Sequence, residues 1–261
     1  MATYLDGIVL AHRIRAAADD RDLDDLRRQA GAAPPARGFA TALRTADGLG
    51  VIAEVKRRSP SKGDLFADLD PAALARQYAG GGATCLSVLT DSEHFGGSRA
   101  DLEAARAACS LPVLRKDFTV CERDVLDARA MGADCVLLIA AALDDDELAV
   151  FHRTATEVGL DALVEVHDEP ELERALAVGA TLVGVNQRDL VSFEVDHERA
   201  LCMASQFPDH VVSVAESGVR GPDDAAALRA AGYDAVLVGE SLVTSGDPVA
   251  AVASLRAAGS G

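Results

Sequence analysis

Residues 51–64 read VIAEVKRRSPSKGD, an apolar run that carries Glu54 and Lys56 before breaking into basic residues, Ser, Pro and Gly. Lysine is rare in this chain: three, at Lys56, Lys62 and Lys116, against 22 arginines. Where a plain positive charge is enough, the protein uses Arg. The remaining lysines point to chemistry, because a desolvated ammonium can release its proton near neutral pH and a guanidinium cannot. Lys116 closes a second apolar run, PVLRKDF, and is followed by Asp117. Other runs close on Glu165, on Asn186 with Arg188, and on Glu216 with Ser217. Gathered in one place, such groups would donate protons, accept them, and clamp a carboxylate or carbonyl.

What could gather them is a repeated strand–helix unit. Eight short apolar runs, VIAEV, TCLSVLT, PVLRKDF, DCVLLIAA, ALVEV, TLVGVN, HVVSVAES and DAVLVGE, alternate with longer stretches of helical periodicity. Asp70-Pro71 and Gly221-Pro222 mark helix starts. Gly82, Gly132, Gly179 and Gly232 recur 50, 47 and 53 residues apart, each just before a strand, where a helix C-cap favours Gly. Each interval spans two strand–helix units, so the four glycines mark four such double units, eight units in all, and predict an α/β fold, a (βα)8 TIM barrel. A doubly wound open sheet would show a Gly-rich loop after its first strand, and none is present. Residues 1–48 form an N-terminal helical extension, with an Ala-Pro-rich connector GAAPPARG, ahead of a barrel over 49–258. That extension is too short and Ala-rich to hold a core of its own, so 1–261 reads as one domain.

In such a barrel the chemistry sits at the C-terminal ends of the strands. Glu54, Lys56, Lys116, Glu165, Asn186 and Glu216 would then face one mouth. As purely structural ion pairs they would cost desolvation with no return. Ser217-Gly218 and Gly239-Glu240, after the seventh and eighth strands, would present backbone N–H groups to a phosphate. His167 reads as a solvated loop group, Arg57, Arg58 and Lys62 as solvated loop charges, and LDDDE at 143–147 as a helix N-terminus. The five cysteines read as reduced packing residues of a cytoplasmic protein, and no spacing suggests a metal site. A net charge of −17 argues against nucleic acid and anionic membranes as partners, though not against a small anionic substrate. No apolar run is long enough for a transmembrane helix.

Together, IAEVKRRSPSKG, LSVLTDSEHFGGS, PVLRKDF, LVEVH, VNQRDL, ESG and LVGESL resemble the indole-3-glycerol-phosphate synthase family over nearly the whole chain. The resemblance implies ring closure, decarboxylation and dehydration of a carboxyphenylamino-deoxyribulose phosphate, without cofactor or metal, by a monomer or weak oligomer. It makes Lys116 the general acid of ring closure and Lys56 the holder of the substrate carboxylate, which also assists dehydration. Glu165 becomes the base, with Glu54, Glu216 and Asn186 orienting the cluster. Ser59, Arg188, Ser217, Gly218, Gly239 and Glu240 fall on the substrate and phosphate grip, and Phe95, Phe118 and Leu190 on the slot for the aromatic ring. Two departures stand out: Gln187, where relatives often have Asn or Ser, and LAHRIR in the first helix, where they often carry Lys. The rival readings are a Schiff-base aldolase of the same fold and a phosphosugar-binding barrel without catalysis.

Overall fold

In a computed structural model that describes residues 4–60, 62–66, 68–189 and 193–259, the eight apolar runs are all parallel strands. They are β1 (Gly50–Val55), β2 (Cys85–Leu89), β3 (Val113–Lys116), β4 (Cys135–Ile139), β5 (Asp161–Val166), β6 (Leu182–Asn186), β7 (Val212–Glu216) and β8 (Ala235–Val238). Each pairs with its sequence neighbours, and β8 closes on β1 through Gly50↔Ala235 to Ala53↔Val238. The structure is the expected TIM barrel.

Three helices precede it: α1 (Tyr4–Ala17), α2 (Leu23–Ala32) and α3 (Phe39–Arg44). Around the barrel follow α4 (Pro71–Gly80), the short α5 (Ser92–Phe95), α6 (Arg99–Ala108), α7 (Glu122–Ala130) and α8 (Asp145–Glu157). The circuit ends with α9 (Glu169–Ala177), α10 (His197–Met203), α11 (Pro222–Ala231), the short α12 (Glu240–Val243) and α13 (Pro248–Ala258). Local chemistry sets their starts. Asp70 accepts from the amides of Ala72 and Ala73 ahead of Pro71, and Asp144 and Glu147 form a capping box at α8. The four spaced glycines lie just past helix ends with φ between +81° and +109°, as the repeat required.

Because strand side chains alternate, each strand feeds two cores. Outward residues such as Val51, Ala53 and Val55 pack under the helices. Inward residues such as Ile52, Leu114, Leu163, Val214 and Leu237 fill the barrel, joined by Phe39 and Leu43 of α3. The inward parity continues upward to Glu54, Lys116, Glu165, Asn186, Glu216 and Gly239. Period two therefore turns an apolar interior into a polar mouth within one or two residues. Beside α3, Leu49 donates its amide to the Gly259 carbonyl at 3.1 Å, so the start of the barrel meets its last helix.

The connector before α3 is fastened to the barrel floor by buried Asp134, which accepts from the amides of Arg37 (2.9 Å) and Val113 (2.8 Å) and from Arg106 (3.1 Å). Asp134→Ala should cost about 2 kcal/mol or more, because it leaves buried donors unpartnered. Thermal melts should then show Tm lower by roughly 5 °C, with KM unchanged because the floor is remote from the mouth. Two surface expectations are corrected. Arg57 is not a solvated charge: it pairs with Asp101 and donates to the Leu69 carbonyl at 2.9 Å, pinning the loop after β1. Cys202 is exposed rather than packed, whereas Cys85 and Cys135 are buried; all five cysteines are free. Among the described residues, no helix is long and apolar enough to cross a membrane.

Candidate active site

The polar mouth opens into a cavity of about 670 Å³. Glu54, Lys56, Ser59, Phe95, Lys116, Phe118, Glu165, Asn186, Arg188, Glu216, Ser217, Gly218, Gly239 and Glu240 all line it. Leu190 lies outside the described residues. Every other site residue expected from the sequence therefore meets in one place, although they come from seven strands or the loops that follow them.

Lys116 is the hub. Its Nζ lies 2.7 Å from Glu165 Oε2 and 2.7 Å from Glu216 Oε2. Burial alone would lower the ammonium's pKa, but Glu165, Glu216 and Glu54 outweigh it and raise it, so the proton stays on at rest. A second pair, Lys56 and Glu54, sits alongside at 2.6 Å. Three carboxylates thus share two ammonium groups. The surplus falls on Glu216, which burial pushes up and Lys116 only partly offsets; its Oε1 is buried without a hydrogen-bond partner. Glu165 goes the other way. Burial would raise it, but Lys116, His167 and Asn186 hold it below the usual carboxylate range. Asn186 Nδ2 donates to Glu165 Oε1 at 2.9 Å, and Asn186 Oδ1 accepts the Arg188 amide at 3.0 Å. Two buried carboxylates pushed in opposite directions are what acid–base chemistry at one pH requires.

At one side of the cavity Phe95 and Phe118 stand with ring centroids 6.3 Å apart. At the other, Ser217 and Gly218 both take positive φ, +64° and +77°. A non-glycine residue there is uncommon and marks a turn held for a purpose. Gln187, one of the two departures from the family pattern, braces that turn by donating from Nε2 to the Ser217 carbonyl at 2.7 Å. The Glu240 carboxylate lies 3.7 Å from the exposed Lys62 ammonium at the rim.

Several contributors were not visible in the sequence. Leu5 and Ile8 of α1 reach the cavity, and Leu137 and Leu237 add apolar wall. The two strand leucines were within reach of the period-two pattern; the α1 residues were not, since nothing local says where that helix lies. The second departure accounts for its place. His12 bonds Asp91 at 3.1 Å and stacks 5.2 Å from Phe118, while Arg13 pairs with Glu147. Ligand atoms of His12, Asp91 and Asp117 lie within 4.8 Å of one another, but Asp91 is engaged with His12 and Asp117 with Arg115. Of the three, the His12–Asp91 contact ties α1 to the mouth. His167 corrects another expectation: its side chain is only 13% exposed and sits behind Glu165.

A closed parallel barrel with Lys–Glu pairs at its mouth and a held turn after β7 defines the class, an α/β barrel with an acid–base cluster at the ends of its strands. Solved structures agree on the fold. A 3-hexulose-6-phosphate synthase superposes with TM-score 0.63 at 19% identity, covering 80% of this chain and 99% of that one. The tryptophan synthase subunit alpha of Legionella pneumophila gives 0.62 at 14%, covering 86% and 98%. The chain belongs to the indole-3-glycerol phosphate synthase family, whose profile matches residues 6–255. Relatives of that name are 55% identical in Streptomyces griseus (91% of this chain, 88% of that one) and 54% in a Nocardioides species (96% of each). Another in Mycolicibacterium smegmatis is 52% identical over 99% of this chain and 95% of its own. Members are carboxy-lyases of tryptophan biosynthesis.

Proposed function

We propose that this cavity closes, decarboxylates and dehydrates 1-(2-carboxyphenylamino)-1-deoxyribulose 5-phosphate to indole-3-glycerol phosphate, with roles divided as follows. Lys116 protonates the ribulose carbonyl oxygen while the aromatic carbon attacks it. The ring nitrogen then carries the electron deficit as an iminium and is itself the sink for decarboxylation, so the substrate supplies what a cofactor would otherwise bring. Lys56, held by Glu54, grips the leaving carboxylate and assists the departure of hydroxyl. Glu165 takes the last proton and steadies the cationic intermediate. Glu216 and Asn186 orient Lys116 and Glu165. Phe95 and Phe118, with Leu190, take the aromatic ring; Ser59, Arg188, Ser217, Gly218, Gly239 and Glu240 take the sugar and phosphate. In this reading residues 1–48 and 49–258 work as one unit, in the cytoplasm, as a monomer or weak oligomer.

The observation that carries this reading is Lys116 set between two carboxylates of opposite tendency, in one cavity with an aromatic pair and the Ser217–Gly218 turn. The test is indole-type fluorescence developing when the full chain meets the carboxyphenylamino substrate. Borohydride added during turnover should leave the protein unmodified; covalent labelling at Lys56 or Lys116 would instead favour a Schiff-base aldolase.

The phosphate end has its own test. A side chain at Gly218 would run into Val195 and would have to accept φ +77°. Gly218→Val should raise KM about tenfold or more, the scale of one lost charge-assisted contact, with a smaller change in kcat. In that variant a substrate without phosphate should lose little further affinity. Simple addition of the two losses would place the phosphate elsewhere.

A further inference from the structure

His167 stands immediately behind Glu165 and outside the cavity wall. Its ring is fixed from one side only. Nδ1 lies 3.1 Å from Glu171 Oε2, and the same oxygen accepts the His167 backbone amide at 2.7 Å. Asp168 caps α9 and accepts the Glu171 amide at 2.9 Å, so Glu171 is itself held. With Nδ1 committed, Nε2 is directed at Glu165 Oε1, 3.9 Å away. That nitrogen is buried and has no hydrogen-bond partner. Such an orphan is unusual in a native interior and calls for an explanation.

Electrostatics supplies one. A neutral ring donating through Nδ1 to Glu171 would aim the Nε2 lone pair at a carboxylate, which is repulsive. A second proton at Nε2 makes both contacts attractive. The charged groups facing the ring are Glu165 from β5, Glu171 from α9 and Arg199 from α10. Burial and Arg199 oppose the imidazolium; the two glutamates outweigh them and raise it above the ordinary histidine value. An imidazolium behind Glu165 adds positive charge beside the buried carboxylates Glu54, Glu165 and Glu216 from a direction that leaves the cavity side free.

We infer that His167 is a positioning residue for Glu165: as the imidazolium anchored by Glu171, it steadies Oε1 and keeps the carboxylate ionised and aimed at the substrate. The inference rests on the proposed role of Glu165 as base. Only a short approach is needed for the 3.9 Å contact to become a charge-assisted hydrogen bond, and such contacts commonly tighten when substrate is bound.

The experiment measures kcat and KM against pH, from about pH 6 to about pH 9 where a histidine with a raised pKa titrates. It uses the full-length wild type, His167→Gln, Glu171→Gln and Glu165→Gln, with His167 titrated by NMR and folding followed by melts. In the wild type, kcat should fall as pH rises through the His167 pKa. His167→Gln should remove that inflection and lower kcat about tenfold at neutral pH, with KM within about twofold. Glu171→Gln should move the inflection to lower pH by about one unit, the scale of one lost neighbouring charge. The NMR pKa of His167 should drop similarly in Glu165→Gln. A His167→Gln profile that overlays the wild type overturns the inference. So does a loss of kcat that follows Tm without changing the profile, since that describes a structural cap. An unchanged His167 pKa in Glu165→Gln overturns it as well, even if that variant is inactive. Wild-type kcat in Glu165→Gln would instead remove the base assignment, while a lowered His167 pKa would still report the pairing.

Discussion

Lys116→Arg should lose kcat by about 10²-fold or more with KM changed only a few-fold, the pattern of a lost general acid. The substitution keeps the charge between Glu165 and Glu216, so what it removes is the compact, transferable proton. Guanidinium does not release its proton in a protein, and its planar fork cannot reproduce two contacts of 2.7 Å from one atom. That Lys116 is held protonated at rest does not argue against donation. Ring closure turns the carbonyl oxygen into an alkoxide, which is more basic than any lysine amine, so the transfer is downhill. Lys56→Arg should fall between wild type and Lys116→Arg, since the carboxylate can still be gripped while the later proton step suffers. Lys62→Arg should stay within about threefold, as an exposed charge near Glu240 is interchangeable. Parallel kinetics of the three variants at one pH, with melts, decide it. Near-wild-type kcat in Lys116→Arg removes the general-acid role.

Gly184→Ala should be almost as damaging although it touches no proposed ligand group. Gly184 follows the inward parity of β6, opposite Glu165, and a Cβ there would collide with the Glu216 carboxylate. The barrel wall cannot move aside cheaply, because Gly184 is paired on both flanks. Glu216 must swing, and with it goes one of the two partners of Lys116. A displacement near 1 Å at the reacting groups can cost about 10²-fold, so kcat should drop on that scale while Tm falls modestly. Combining Gly184→Ala with Glu216→Ala, which removes the obstacle, should give no more loss than Glu216→Ala alone. Full additivity would mean that Gly184 acts through something other than Glu216.

The barrel and its mouth were legible because both depend on local pattern. Short apolar runs fix the strands, and a Lys, Glu or Asn closing a run can only stand at the strand's end. What the sequence hid depends on distance. Glu54 is next-but-one to Lys56, so their pairing is almost local, but Lys116 finds Glu165 and Glu216 through barrel closure, 49 and 100 residues away. Arg57 was misread because Asp101 belongs to another strand–helix unit, and His167 because α9 covers it. The cavity wall from α1 was hidden for the same reason: its docking rests on Asp91 and Glu147, which no periodicity connects to His12 and Arg13.

The meeting of Leu49 with Gly259 has a topological consequence. Viewed as a path, the barrel is a loop of eight equivalent units whose first and last members already touch, so the place where it is cut is arbitrary as far as the sheet is concerned. Here the helices α1, α2 and α3 join the cylinder at that junction. From there α3 packs into the barrel floor while α1 reaches the cavity, one segment of polypeptide serving both ends of the cylinder. A permuted gene joining Gly259 to Leu49 would keep the cylinder but have to find another doorway for that strap.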